Sequence, residues 1–307
     1  LNGMSALILG GELSATGLVT WDPAPAWQLR IEGSELDPAQ IAPELTGQLS
    51  LALNTSGQLD ADRGLQAQVN IEQLSGQLLN YPLQLSAEAE VLGESLTLAN
   101  LNLSSGQNQL KARGDLSASA LALTWELRAL SPGEFLAGAA GAITGTGTIE
   151  GSTAAPLISA RIKGSALALD TLSTSRLDLN LRAGTGADEV LMLEMQTGPL
   201  MDGVETLADS LTLTAQGSNS KHSAQLALIA GEQQLQTRLQ GGLTAALDGW
   251  NGSLEALQVS TEPFGQWALV KPAPLSLGAA AASLGNSCLN SKSSAGKICL
   301  AGNWSAS

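Results

Sequence analysis

The sequence predicts an all-β fold: a long, curled, mostly antiparallel sheet with a few short helices. Three observations carry that expectation. Leucine returns at every second position through SLTLANLNLSSGQNQLKARGDLSASALALTWEL, from Ser95 to Leu127, with Thr, Asn, Ser or Gln between. A period of two puts alternate side chains on one face of a strand. Turn compositions (NTSG, SSGQN, EGSTAAP, RAGTG, AGEQQ) punctuate the alternation. With about ten residues per strand and turn, connections are too short for helical crossovers, so neighbours are antiparallel. Finally, the chain is 44% hydrophobic but only 3% aromatic, with 34 Gly among its 307 residues. Its oily residues are therefore mostly aliphatic, and its glycines suit many tight turns.

Taken in order, Leu45, Leu49, Leu51 and Leu53 share one parity, followed by Leu65, Ala67, Val69 and Ile71, then Leu83, Leu85, Ala87, Ala89 and Val91. Parity slips next, from Leu96 and Leu98 to Leu101 and Leu103, so Ala99-Asn100 is expected to form a bulge or tight bend. Leu121 and Leu123, Leu177, Leu179 and Leu181, Leu211 and Leu213, Leu226 and Leu228, and Leu235 and Leu239 continue the pattern. Two short helices are expected where LDPAQI begins at Leu36 and LSPGEF at Leu130. Asp37 and Ser131 are N-cap types, Pro38 and Pro132 suit the first helical position, and Gln40 and Glu134 would complete capping boxes. Each follows an echo, AWQLR from Ala26 and TWELR from Thr124. The domain reading is one elongated segment over 1–307, with internal repeats at 26–123 and 124–230 and a cysteine-hairpin region at 264–307. Chance similarity in a leucine-rich β sequence is the plainer alternative.

These helices cannot cover the apolar faces of about 25 strands. The faces must meet each other, as in a sandwich or solenoid, or line a groove filled by something else.

The formal net charge of −14 fits solubility and colloidal repulsion, and no Lys/Arg cluster interleaves with aromatics, which excludes nucleic acid as the expected partner. No apolar run reaches the length of a membrane helix, and no basic leader opens the chain, which begins mid-pattern like a segment of something longer. His222, the only histidine, sits in the polar stretch GSNSKHSAQ and is expected at the surface rather than on a metal. Gly145-Thr146-Gly147 reads as glycine-rich strand, and Asp60 and Asp62 as solvated turn charges. No nucleophile elbow, metalloprotease or phosphate-loop motif occurs, which counts against an enzyme, and no cofactor or metal site is expected. Cys288 and Cys299 stand at the facing ends of a hairpin-like pattern. An even count and short separation suggest a disulfide in an oxidising compartment, against two reduced cysteines in the cytosol.

The pattern W-x-L-R, then L-[DS]-P and a short helix, then G-x-L strands, resembles the TamB family of AsmA-like proteins. So does IEGSTAAPLISARIKGSALAL from Ile149. More specific is GQWALVKPAPLSL followed by CLNSKSSAGKICLAGNW, where Cys288, Leu289, Cys299, Leu300, Gly302 and Trp304 match the family's paired-cysteine stretch. The resemblance covers most of the chain and implies a sheet folded lengthwise, a β-taco, with a hydrophobic interior. It implies a periplasmic location, with the full-length protein anchored in the inner membrane of a diderm bacterium and working with TamA, an outer-membrane barrel. Two clients follow from it: phospholipids moving between the membranes, or outer-membrane β-barrel proteins and autotransporters in assembly. Without the family's membrane anchor or conserved C-terminus, the chain looks like a central segment.

On the lipid reading, acyl chains lie along a groove whose lining candidates are Leu49, Leu51 and Leu53, then Val69 and Ile71, Leu98 and Leu103, Leu121 and Leu123, Leu179 and Leu181, and Leu211 and Leu213. Ordinary core packing is the competing role of each. On the chaperone reading, a client strand adds to a sheet edge. A secreted solenoid would show shorter, more regular repeats, and a membrane barrel would carry aromatic girdles that are missing here.

Overall fold

The computed structural model describes residues 3–244, 248–262 and 264–305. Among these are 23 β-strands, paired antiparallel, and no α-helix. The chain divides into two units, one of residues 1–137 and 144–156, the other of 138–143 and 157–307.

In the first unit each strand pairs with the next, from β1 (Met4–Ile8) through β2 (Gly11–Thr20), β3 (Ala26–Leu36), β4 (Gly47–Asp60), β5 (Gly64–Leu78), β6 (Tyr81–Leu92), β7 (Ser95–Ser105) and β8 (Asn108–Leu116) to β9 (Leu121–Ala129). β10 (Ala139–Gly151) is divided between the units and contains Gly145-Thr146-Gly147 as strand. The second unit runs through β11 (Pro156–Leu169), β12 (Leu172–Gly184) and β13 (Val190–Thr197). A small hairpin, β14 (Leu200–Asp202) and β15 (Glu205–Ala208), adds to the start of β12. Then follow β16 (Ser210–Ser218), β17 (His222–Ala230), β18 (Gln233–Leu243) and β19 (Gly249–Thr261). β19 pairs with both β20 (Gly265–Leu269) and β21 (Ala273–Gly278), which share β22 (Ala281–Ser291), and β23 (Lys297–Ser305) completes a hairpin with β22.

Directly opposed residues lie on one face, so the register assembles the alternating leucines into rows. Leu51, Leu74, Leu85, Leu103, Leu110 and Leu127 face one another in turn across β4 to β9. Beside them run Leu53, Ile71, Ala87, Leu101, Ala112 and Trp125. In the second unit Ile162, Leu179, Met195, Leu213, Leu226, Thr237 and Leu257 make the corresponding row. Bulges keep the rows intact. Ala99-Asn100 is one, as the parity slip predicted, and Leu98 and Leu101 share a face across it. Equivalent interruptions stand at Ser34-Glu35 in β3 and Glu72-Gln73 in β5. Each lies one row further along than the last, which draws a diagonal line of local bends through the sheet.

Three sequence expectations are corrected. The two short helices are single 3-10 turns, Pro38–Gln40 and Pro132–Glu134. Their capping boxes do not form: Asp37 does cap Ala39 N–H at 3.0 Å, but Ser131 makes no side-chain cap. Instead Glu134 accepts from Asn108 Nδ2 at 2.7 Å and its carboxylate lies over Gly106 in the β7–β8 turn, while the Gln40 amide lies over Gly10 in the β1–β2 turn. The third residue of each turn thus docks on a preceding hairpin rather than on its own cap. Last, NTSG (54–57) is no turn; β4 runs straight through it.

The burial pattern bears on what the leucines cover. The chain exposes 18200 Å². A compact chain of 31.3 kDa would expose about 12,000 Å², and two compact bodies of half that mass about 14,500 Å². Six of the eight buried hydrophobic residues described are alanines, and among the described residues no large side chain is fully buried. The leucine rows are half-buried, so among the described residues no second layer is packed down on them as in a closed sandwich core.

Candidate functional site

The candidate site is the apolar face itself. Every residue predicted to line it is half-buried: Leu49, Leu51 and Leu53 on β4, Val69 and Ile71 on β5, Leu98 and Leu103 on β7, and Leu121 and Leu123 on β9. In the first unit the register brings them to one face. Leu179, Leu181, Leu211 and Leu213 likewise share one face in the second unit. Their alternate neighbours form the polar face. Thr97 Oγ1 donates to Asp115 at 2.7 Å there, and Asn54 and Arg30 both bond Glu72 of the β5 bulge. The hydrogen bond to Glu32, then the charge of Glu72, raises the Arg30 guanidinium above its ordinary value. A shallow recess of about 460 Å³ also lies on the polar side, lined by Arg161, Asn180, Arg182, Glu194 and Gln216 among others. Its charged and amide side chains suit water, not hydrocarbon.

Trp27, Trp125 and Trp250 belong to the apolar face as well, which leucine alternation does not reveal. Trp27 stands opposite Gly57, and its indole lies where a Cβ on that glycine would sit, 2.6 Å from Cη2. Its Nε1 donates to Thr55 Oγ1 at 3.1 Å. Asn54 bonds outward and Thr55 inward, which is why NTSG works as strand. A mid-strand glycine leaves room for an indole across the ladder, but which tryptophan faces it is set by strand pairing alone.

His222 is a further correction. It is only 6% exposed and lies on the apolar face, in the row Gly217, His222, Gly241 and Gly252. Its Nδ1 lies 2.9 Å from Ser218 O, and its Nε2 accepts from Trp250 Nε1 at 2.9 Å. A polar-looking stretch hid this because the turn ends at Lys221, one residue before the strand begins.

Cys288 and Cys299 are directly opposed on β22 and β23, with Cα atoms 4.0 Å apart, and form a disulfide. Among the described residues no helix is long and apolar enough to cross a membrane.

The face can hold apolar chains by burial and can discriminate little, since it offers rows of aliphatic groups and few polar anchors. A family model described as TamB, N-terminal domain, matches residues 1–307. No solved structure matches the chain.

Proposed function

The chain belongs to the TamB family, and from that premise we propose that its apolar face carries phospholipids between the inner and outer membranes. The observation behind this reading is a set of continuous leucine rows left half-buried in a chain that exposes far more surface than a compact one. Acyl chains lie on the rows while headgroups stay in water. Burial yields about 0.8 kcal/mol per CH₂ wherever the chain sits, so neighbouring positions are nearly equivalent and lipid can slide. No step on this face needs chemistry. The full-length protein would span the periplasm from an inner-membrane anchor and meet a TamA-like barrel at the outer membrane.

The test is to make the rows polar in the full-length protein. Leu103→Asn with Leu181→Asn is expected to slow phospholipid movement between the membranes severalfold, while Thr97→Asn with Gln225→Asn on the polar face leaves it unchanged. Normal lipid movement in the leucine variant, with outer-membrane protein assembly impaired, would contradict the lipid reading and favour assembly.

A further inference from the structure

One cluster on the apolar face is built around a titratable group. Gly241 and Gly252 are opposed on β18 and β19, and the Trp250 indole lies over both. A Cβ on Gly241 would meet Trp250 Cζ2 at 2.6 Å, and one on Gly252 would meet Cη2 at 2.5 Å. The indole reaches past β18 to β17, where its N–H donates to His222 Nε2. For Nε2 to accept, the ring proton must be on Nδ1, which then donates to Ser218 O. Both ring nitrogens are thus used, and only the neutral ring can use them this way.

We propose that Trp250 controls passage along the apolar face of the second unit, with His222 as the positioning residue that keeps the indole stowed. This rests on the lipid reading above. Glycine backbone lies directly beneath the indole, so release lets it swing into the space over the face. There it obstructs the adjoining row, which includes Leu239 and Leu254. A protonated imidazole carries hydrogen on both nitrogens and cannot accept, so protonation turns the latch into two opposed donors. Charged groups on the surrounding elements are Lys221 before β17, Asp188 and Glu189 in the β12–β13 turn, Asp248 before β19, and Arg238 and Glu255 on β18 and β19. Asp188 is bonded to Ser220. Trp27 provides an internal comparison: it is stowed over Gly57 in the same manner, but its latch is the Thr55 hydroxyl, whose oxygen accepts without any change of protonation.

The experiment uses the full-length protein in isolated cell envelopes, at about pH 7.5 and at about pH 5. Hydroxyl-radical footprinting reads indole exposure by mass spectrometry, and a photo-crosslinker at Leu239 reads phospholipid contact. Trp250 labelling should rise severalfold at the lower pH while Trp27 labelling stays level. Leu239 adducts should fall severalfold in parallel. His222→Gln keeps a carbonyl acceptor that does not titrate, and should abolish both responses. Trp250→Ala should keep Leu239 adducts high at both pH values. Equal responses of Trp250 and Trp27, or an unchanged response in His222→Gln, would overturn the latch. Leu239 adducts that ignore pH, while a crosslinker at Leu98 also gives adducts, would overturn the proposal alone. No phospholipid adduct at either position would overturn the lipid reading and the proposal with it.

Discussion

Single residues here work mainly by where they let the backbone go. Asp60 ends β4, and one of its carboxylate oxygens accepts from the backbone N–H groups of Asp62 at 2.8 Å and Arg63 at 2.9 Å. Those bonds, Arg63's first, hold its pKa below the ordinary carboxylate value. The folded value lies below the unfolded one, so the stabilisation is present above the unfolded value and is lost as pH falls through the folded one. Asp60→Ala should therefore lower Tm at neutral pH by on the order of one or two degrees, and the gap from the parent should close as the carboxylate protonates. Thermal scans at neutral and acid pH check this; a gap that persists in acid would contradict it. His222 and Gly57 belong to this scale too, and neither role could be read from the sequence. Each depends on a tryptophan 28 or 30 positions away, brought alongside only by strand pairing.

At the scale of elements, the bulges decide which face each leucine takes. Deleting Ala99 would put Leu98 and Leu101 at a spacing of two, so β7 would become regular with its leucines still on one face. That variant should stay within about 1.5 kcal/mol of the parent. Inserting one alanine between Leu101 and Asn102 turns Leu103 to the polar face instead, which should cost about 1.5–3 kcal/mol. Urea unfolding of both variants checks the order, and a deletion more harmful than the insertion would sink this view of the bulge. Leucine parity made the strands, the Ala99-Asn100 bulge and, within each unit, the shared face of the leucines legible, because alternation reflects a local rule. NTSG misled because turn-type residues are also what a strand needs where it must bond Glu72 on one side and an indole on the other. The LDPAQI and LSPGEF segments carry helix-start residues, yet Gln40 and Glu134 lie over the hairpin turns at Gly10 and Gly106, each more than 25 residues distant.

For the whole molecule, the fact to be explained is apolar surface without a lid. A leucine-rich sheet of this kind could be a closed core, an edge-templating chaperone or a lipid path. The half-buried rows and the large exposed area weigh against a closed core. Charge patterning fits the same account: Thr97 and Asp115 bond on the hydrated side, and Leu98, the next residue, belongs to the apolar row. The most direct measurement exploits that adjacency. A photo-crosslinking residue is placed at Leu98 or at Thr97 of the full-length protein in living cells, and adducts are identified by mass spectrometry. The account predicts phospholipid adducts at Leu98 and none at Thr97. Protein adducts at Leu98, or no adduct at either position, would contradict it.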